Sequence, residues 1–124
     1  MGMIKIQTRS PAWIAIGYLG MAVIVTLSLV PAALRPHTGA GGGYEHGLAY
    51  ALVGFAFGLG YARPRDRLIS GLALMATAAT LELLQNVVPG RTPEVTGFLT
   101  SSFGAWLGLF AATLASAVVR AKEN

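Results

Sequence analysis

Long apolar runs alternate with short polar interruptions along the whole chain. Apolar residues dominate four runs, which extend from about Ala12 to Leu34, His46 to Ala62, Leu68 to Val88 and Gly97 to Val119. Each run approaches or reaches the roughly 20 residues that an α-helix needs to cross about 30 Å of hydrocarbon. The pattern therefore predicts an all-α protein, an integral membrane bundle of four transmembrane helices.

The interruptions between the runs are rich in proline, glycine and arginine. They comprise Arg35-Pro36 with the glycines that follow, the segment 63–67, and the segment 89–93. Residues of these types favour turns and end helices. Because none of the interruptions is long enough to separate two domains, we expect a single transmembrane domain over residues 1–124.

The composition agrees with a membrane protein and narrows its chemistry. Hydrophobic residues make up 54% of the chain, charged residues only 11%, and cysteine is absent. A soluble domain of this composition would have too little polar surface to cover itself. Without cysteine there are no disulfides, thiolate metal sites or cysteine nucleophiles, and two histidines alone are too few for a metal site. We therefore expect neither a metal nor a cofactor.

The net charge of +4 points to a membrane surface more than to nucleic acid. The basic residues flank the apolar runs and form no stripe on a polar domain, as a nucleic-acid-binding protein would require. Anionic lipid headgroups are the expected partners.

The basic residues also predict the orientation of the chain. In a four-span topology, two arginines, Arg35 and Arg91, lie on one side, and the other side carries Lys5, Arg9, Arg63, Arg65, Arg67, Arg120 and Lys122. The positive-inside rule then places both termini in the cytoplasm of a multi-pass inner (plasma) membrane protein. A cleaved signal peptide is the competing interpretation. However, the apolar run from Trp13 to Val30 exceeds the ~7–15 residues of a signal core.

One carboxylate falls within an apolar run, in the third predicted helix. Glu82 lies about 9 Å below Val88, and Gln85 follows on the same helix face one turn nearer the surface. A carboxylate costs on the order of 2.5–3.5 kcal/mol at the bilayer centre, so it needs a partner, water or a proton. The nearest partners by predicted depth are His46 and Arg91, both on the extracytoplasmic side.

These four residues, His46, Glu82, Gln85 and Arg91, form the candidate binding site. If they converge, the imidazole could exchange protons near neutral pH, or Arg91 could hold a phosphate through bidentate hydrogen bonds. The plainer interpretation is that Glu82 extends to the interface or bonds a neighbouring helix, while His46 and Arg91 are interfacial side chains. The sequence leaves both interpretations open.

Small residues follow one face of the second and fourth predicted helices. This small-xxx-small pattern lets helix backbones approach closely, either within one chain or in a homo-oligomer. The two faces consist of Gly47, Ala51, Gly54 and Gly58, and of Gly97, Ser101, Gly104 and Gly108.

Several short motifs occur in the order seen in VanZ-like membrane proteins, and the chain resembles that family between about Thr26 and Gly108. The motifs are the segment 26–31, Glu45-His46 with the following glycine, Glu82 to Gln85, Pro89-Gly90-Arg91, and the segment 101–108. The chain departs from the family at Gly97, where an aspartate is common, at Ser101, where an asparagine is common, and at Gly43, where a lysine is common. The resemblance implies a small bacterial membrane protein of the cell envelope, in a family associated with resistance to the glycopeptide teicoplanin.

Three functions from different classes are compatible with these features. The first is an envelope or glycopeptide-resistance factor that binds a glycopeptide or a lipid-linked cell-wall precursor at its outer face, with His46 and Arg91 forming an anion site. The second is a small proton-coupled transporter that uses Glu82. The third is an acid-base enzyme acting on a lipid-linked headgroup, for which the sequence offers no evident nucleophile. Whether the protein is an enzyme stays open.

Overall fold

The computed structural model describes residues 9–34, 42–90 and 95–123, and within these ranges the chain is helical. Four long helices follow one another: α1 is Pro11–Leu29, α2 is Gly42–Gly60, α3 is Pro64–Leu84, and α4 is Val95–Glu123. Short 3-10 turns follow α1 at Ala32–Leu34 and α3 at Gln85–Val87. The predicted all-helical fold is confirmed.

Proline fixes several helix boundaries. Pro11 and Pro64 stand in the first turns of α1 and α3, where the missing N–H of proline costs nothing. At its other end α1 stops at Leu29, because Val30 is extended (φ −75, ψ 147) in front of Pro31. The first apolar run was predicted to continue as helix to Leu34, and this proline explains why the regular helix ends earlier.

Three helices of the described ranges are long and apolar enough to cross a membrane, namely Pro11–Leu29, Pro64–Val87 and Val95–Glu123. Helix α2 does not qualify because Glu45, His46 and several glycines lower the hydropathy of its first half. Large apolar side chains such as Leu19, Leu72 and Phe110 are more than half exposed on the outside of the bundle. Such a surface suits lipid and not water, so the protein is membrane-embedded.

The contacts between helices show their relative directions. Gly60 near the end of α2 lies against Ile14 near the start of α1, so α1 and α2 are antiparallel. Gly71 lies against the ring of Trp106, and Glu82 lies against Gly97, so α3 and α4 are also antiparallel. Helices α2 and α4 are parallel, as their paired glycine contacts show. The bundle is therefore up-and-down, with α1 and α3 running one way and α2 and α4 the other.

The closest helix pair is α2 with α4, and glycine makes this approach feasible. A Cβ atom at Gly54 would overlap the carbonyl oxygen of Ala105, and one at Gly108 would overlap the carbonyl oxygen of Ala51. Backbones this close gain dispersion contacts and weak Cα–H···O interactions. Apart from Gly97, the glycines of the two small-residue faces that the sequence predicts thus pack against the facing helix within one chain. A homo-oligomer stays a prediction.

A buried arginine connects three helices at the end where the chain begins. Arg67 on α3 is only 8% exposed. Its Nε and Nη2 donate hydrogen bonds to the carbonyl oxygen of Gly58 on α2 at 3.0 and 2.9 Å, and Nη2 donates to Ser116 Oγ on α4 at 3.2 Å. Since Gly58 is among the last carbonyls of α2, which have no partner within their own helix, Arg67 also caps that helix.

The contact between α2 and α4 predicts unequal effects of two glycine-to-alanine changes. Gly108→Ala should lower the free energy of unfolding by about 1–3 kcal/mol, because the new methyl group must push the two backbones apart. Gly47→Ala is the matched control on the facing helix α2, since a Cβ there would meet its nearest atom, the carbonyl oxygen of Thr100, at an acceptable 3.4 Å. Reversible unfolding in detergent micelles measures both. Equal stability of the two variants would contradict this packing.

Candidate functional site

His46 and Glu82 come together from different helices. His46 lies in the second turn of α2, and Glu82 lies in the last turn of α3. The distance between His46 Nδ1 and Glu82 Oε1 is 4.0 Å, and the two side chains are 21% and 15% exposed. Glu82 therefore faces other helices and not lipid, as the small and flexible residues on its helix face predict, and an ion pair forms whenever the imidazole is protonated.

Gly97 provides the space that the Glu82 carboxylate occupies. A Cβ atom at position 97 would overlap Glu82 Oε1, so no residue other than glycine fits there without moving the carboxylate. Gly97 belongs to the first turn of α4, which begins at Val95. The first turn of a helix has unsatisfied N–H groups and favours negative charge. The carboxylate is thus held between a histidine and the amino-terminal turn of α4.

Gln85 is buried beside this pair but contacts a different helix. It is 4% exposed, and its Nε2 donates a hydrogen bond to the carbonyl oxygen of Ser28 at 3.1 Å. Ser28 is in the last turn of α1, where carbonyl groups have no partner within the helix. In this geometry the amide of Gln85 connects α3 to the end of α1.

The fourth predicted site residue, Arg91, lies outside the described residues. The same holds for Arg35, His37 and Glu94, which the topology places on the same side. The chain is described as far as Gly90, which has a φ of 75, a left-handed conformation that glycine adopts without strain. In the described part of the chain, two of the four predicted site residues, His46 and Glu82, therefore lie together. A third, Gln85, is buried one turn further along the chain from Glu82.

Two further buried polar residues, in the half of the bundle that holds the pair, were not among the predicted site residues. Tyr50 lies one turn after His46 on α2, is 3% exposed, and is within reach of the charge of Glu82. Ser102 on α4 has a buried hydroxyl with no hydrogen-bond partner in the described part of the chain. The spacing of four residues between His46 and Tyr50 could have revealed the first. No sequence pattern marks Ser102, because a serine in an apolar helix usually bonds its own backbone.

The site combines a carboxylate, an imidazole and a phenol at one end of the bundle. Among the described residues no three histidine or acidic side chains are grouped closely enough to hold a metal ion. The opposite end carries the basic residues of the described ranges, which are Arg9, Arg63, Arg65, Arg67, Arg120 and Lys122. Chemically, the site can donate and accept hydrogen bonds and can take up or release a proton.

Comparisons with protein-family models, with curated proteins and with solved structures find no match to this chain. The resemblance to VanZ-like proteins therefore stays a prediction that rests on the sequence motifs alone.

Proposed function

We propose that all four helices span the inner membrane and that both termini face the cytoplasm. Helix α2 has 19 residues, as many as α1, and at about 1.5 Å per residue it is about 28 Å long. It packs along α4, a helix that qualifies as a span by length and composition. The basic residues at one end of the bundle then identify the cytoplasmic side.

In this orientation the pair of His46 and Glu82 lies near the extracytoplasmic surface. We propose that the protein binds there the headgroup of an envelope lipid or of a lipid-linked precursor that carries phosphate and hydroxyl groups. The observation that supports this most is the meeting of an imidazole and a carboxylate from two helices beside the bare backbone of Gly97. Placing two ionisable groups at this depth in a membrane costs free energy unless they bind a ligand or pair with each other.

Each side chain has a distinct role in this proposal. Glu82 accepts hydrogen bonds from hydroxyl or amide groups of the headgroup, since a carboxylate is an acceptor. A protonated His46 and Arg91, which follows Gly90 in the chain, hold the phosphate through charge-assisted hydrogen bonds. Gln85 has a supporting role, because it fixes the last turn of α1 against α3. A role in the cell envelope or in glycopeptide resistance rests on the family resemblance and is part of the proposal.

A second candidate function is proton-coupled transport. It is favoured by one observation, the position of an ionisable carboxylate next to a histidine with the phenol of Tyr50 one turn deeper. In that function Glu82 itself takes up and releases the transported proton. Glu82→Gln keeps the shape of the side chain and removes its charge, so it distinguishes the two functions.

The proposed topology predicts which loops a thiol reagent can reach from outside the cell. Because the chain has no cysteine, single substitutions Ala40→Cys and Thr92→Cys each create a unique label site. A membrane-impermeant maleimide should label both in intact cells. The control Arg65→Cys should be labelled only after the membrane is permeabilised. Protection of positions 40 and 92 in intact cells would place the site on the cytoplasmic side and contradict the proposal.

The headgroup proposal predicts which lipids or precursors stay bound to the purified protein. After gentle extraction from native membranes, mass spectrometry should find phosphate-bearing lipids or precursors bound to the wild type. Arg91→Ala should reduce this retention on the order of tenfold, as expected for the loss of a charge-assisted contact. The matched control is Arg35→Ala, which removes the other predicted outward arginine and should have no effect.

Retention that is unchanged by Arg91→Ala would contradict the headgroup proposal. Glu82→Gln should largely preserve phosphate retention. If the protein is instead a proton-coupled transporter, Glu82→Gln should abolish substrate flux driven by a pH gradient across liposomes, and the wild type should show that flux.

A further inference from the structure

A cavity lies at the end of the bundle opposite His46 and Glu82, and none of the residues of that site line it. It has a volume of about 290 Å³ and opens between α1 and α3, which touch each other only sparsely. Arg9, Tyr61 and Asp66 line one end of it, and Met21, Ala73 and Thr77 line the other. We call it the α1–α3 groove.

The groove runs along the direction of its two helices. From Asp66 to Thr77 on α3 it covers eleven residue steps, or about 16 Å at 1.5 Å per residue. The hydroxyl groups of Ser70 and Thr77 are satisfied internally, because Ser70 Oγ donates to the carbonyl oxygen of Asp66 and Thr77 Oγ1 donates to that of Ala73. Beyond its charged mouth, the groove is lined mainly by apolar side chains and runs along α1 and α3, so it has the shape of a site for an acyl chain.

The mouth of the groove carries one positive and one negative group. The guanidinium of Arg9 lies over the ring of Tyr61, 5.9 Å from its centroid, and the half-buried Asp66 lines the same end. Both charges act on Tyr61, yet within the described residues no ion pair joins Arg9 to Asp66. Arg9 and Asp66 thus lie at the same end of the groove without forming an ion pair with each other. This arrangement suits a ligand that carries one negative and one positive group.

We propose that the α1–α3 groove binds one phospholipid of the cytoplasmic leaflet with a zwitterionic headgroup made of a phosphate and a primary ammonium. Arg9 binds the phosphate with its guanidinium fork, and Asp66 accepts hydrogen bonds from the ammonium. One acyl chain lies along α3 past Ala73. A lipid with a net negative charge fits less well because Asp66 repels it, and a choline lipid has no N–H group for Asp66.

The test uses the purified full-length chain in detergent, titrated with phosphatidylethanolamine, phosphatidylcholine or phosphatidylglycerol of identical acyl chains. Native mass spectrometry counts the bound lipid. Phosphatidylethanolamine should bind on the order of tenfold more tightly than either other lipid, the effect of one charge-assisted hydrogen bond. This comparison needs no variant, so it does not depend on whether a variant folds.

Substitutions in the groove then test whether the preference for phosphatidylethanolamine arises there. Asp66→Asn should remove the preference for phosphatidylethanolamine over phosphatidylcholine, and Arg9→Gln should weaken the binding of both. Ala73→Phe should block the acyl chain. The matched control is Arg65→Gln, an exposed neighbour of Asp66 that does not line the groove and should leave the preference unchanged.

Three outcomes would overturn the proposal. The first is equal or tighter binding of phosphatidylcholine or phosphatidylglycerol by the wild type. The second is a preference that survives Asp66→Asn. The third is lipid-free dimerisation that Ala73→Phe abolishes, which would assign the groove to a second copy of the chain.

Discussion

The close contact between α2 and α4 is the constraint on which the rest of the structure depends. Apolar surface provides little driving force between helices in lipid, so backbone proximity and dispersion must hold them together. Gly54, Gly104 and Gly108 remove the side chains that would separate the two backbones. Because α2 is fixed on α4 in a parallel arrangement, the first turns of both helices lie at the same end of the bundle. That is why His46 of α2 and Gly97 of α4 both contact Glu82 of α3.

The geometry also explains how this membrane protein tolerates its buried charges. At one end, the carboxylate of Glu82 lies against the first turn of α4, where the helix dipole favours an anion. At the other end, the guanidinium of Arg67 binds the carbonyl of Gly58, near the end of α2, where the dipole favours a cation. Opposite charges thus occupy opposite ends of parallel helices. The same helix pair that builds the fold therefore also stabilises a carboxylate near one membrane surface.

Much of the fold could be predicted from the sequence, because hydrophobic runs and proline breaks act locally. The inward position of Glu82 followed from its helix face, which continues through Ala78 and Gly71, and both of these are buried. The role of Gln85 could not be predicted, since its partner is a carbonyl of Ser28 in a distant helix. Likewise, Gly97 is an ordinary small residue in the sequence. Only the packing of three helices shows that its missing side chain makes room for a carboxylate.

Helices α2 and α3 bring positions 46 and 82 together. Because the chain contains no cysteine, a His46→Cys/Glu82→Cys double variant can be cross-linked with a short bifunctional thiol reagent in native membranes. The control pair is His46→Cys with Leu83→Cys, since Leu83 is the next residue on α3 and is 71% exposed. The structure predicts rapid intramolecular cross-linking of 46 with 82 and slow cross-linking of 46 with 83. Equal rates for the two pairs, or no cross-link between 46 and 82, would contradict this contact between α2 and α3.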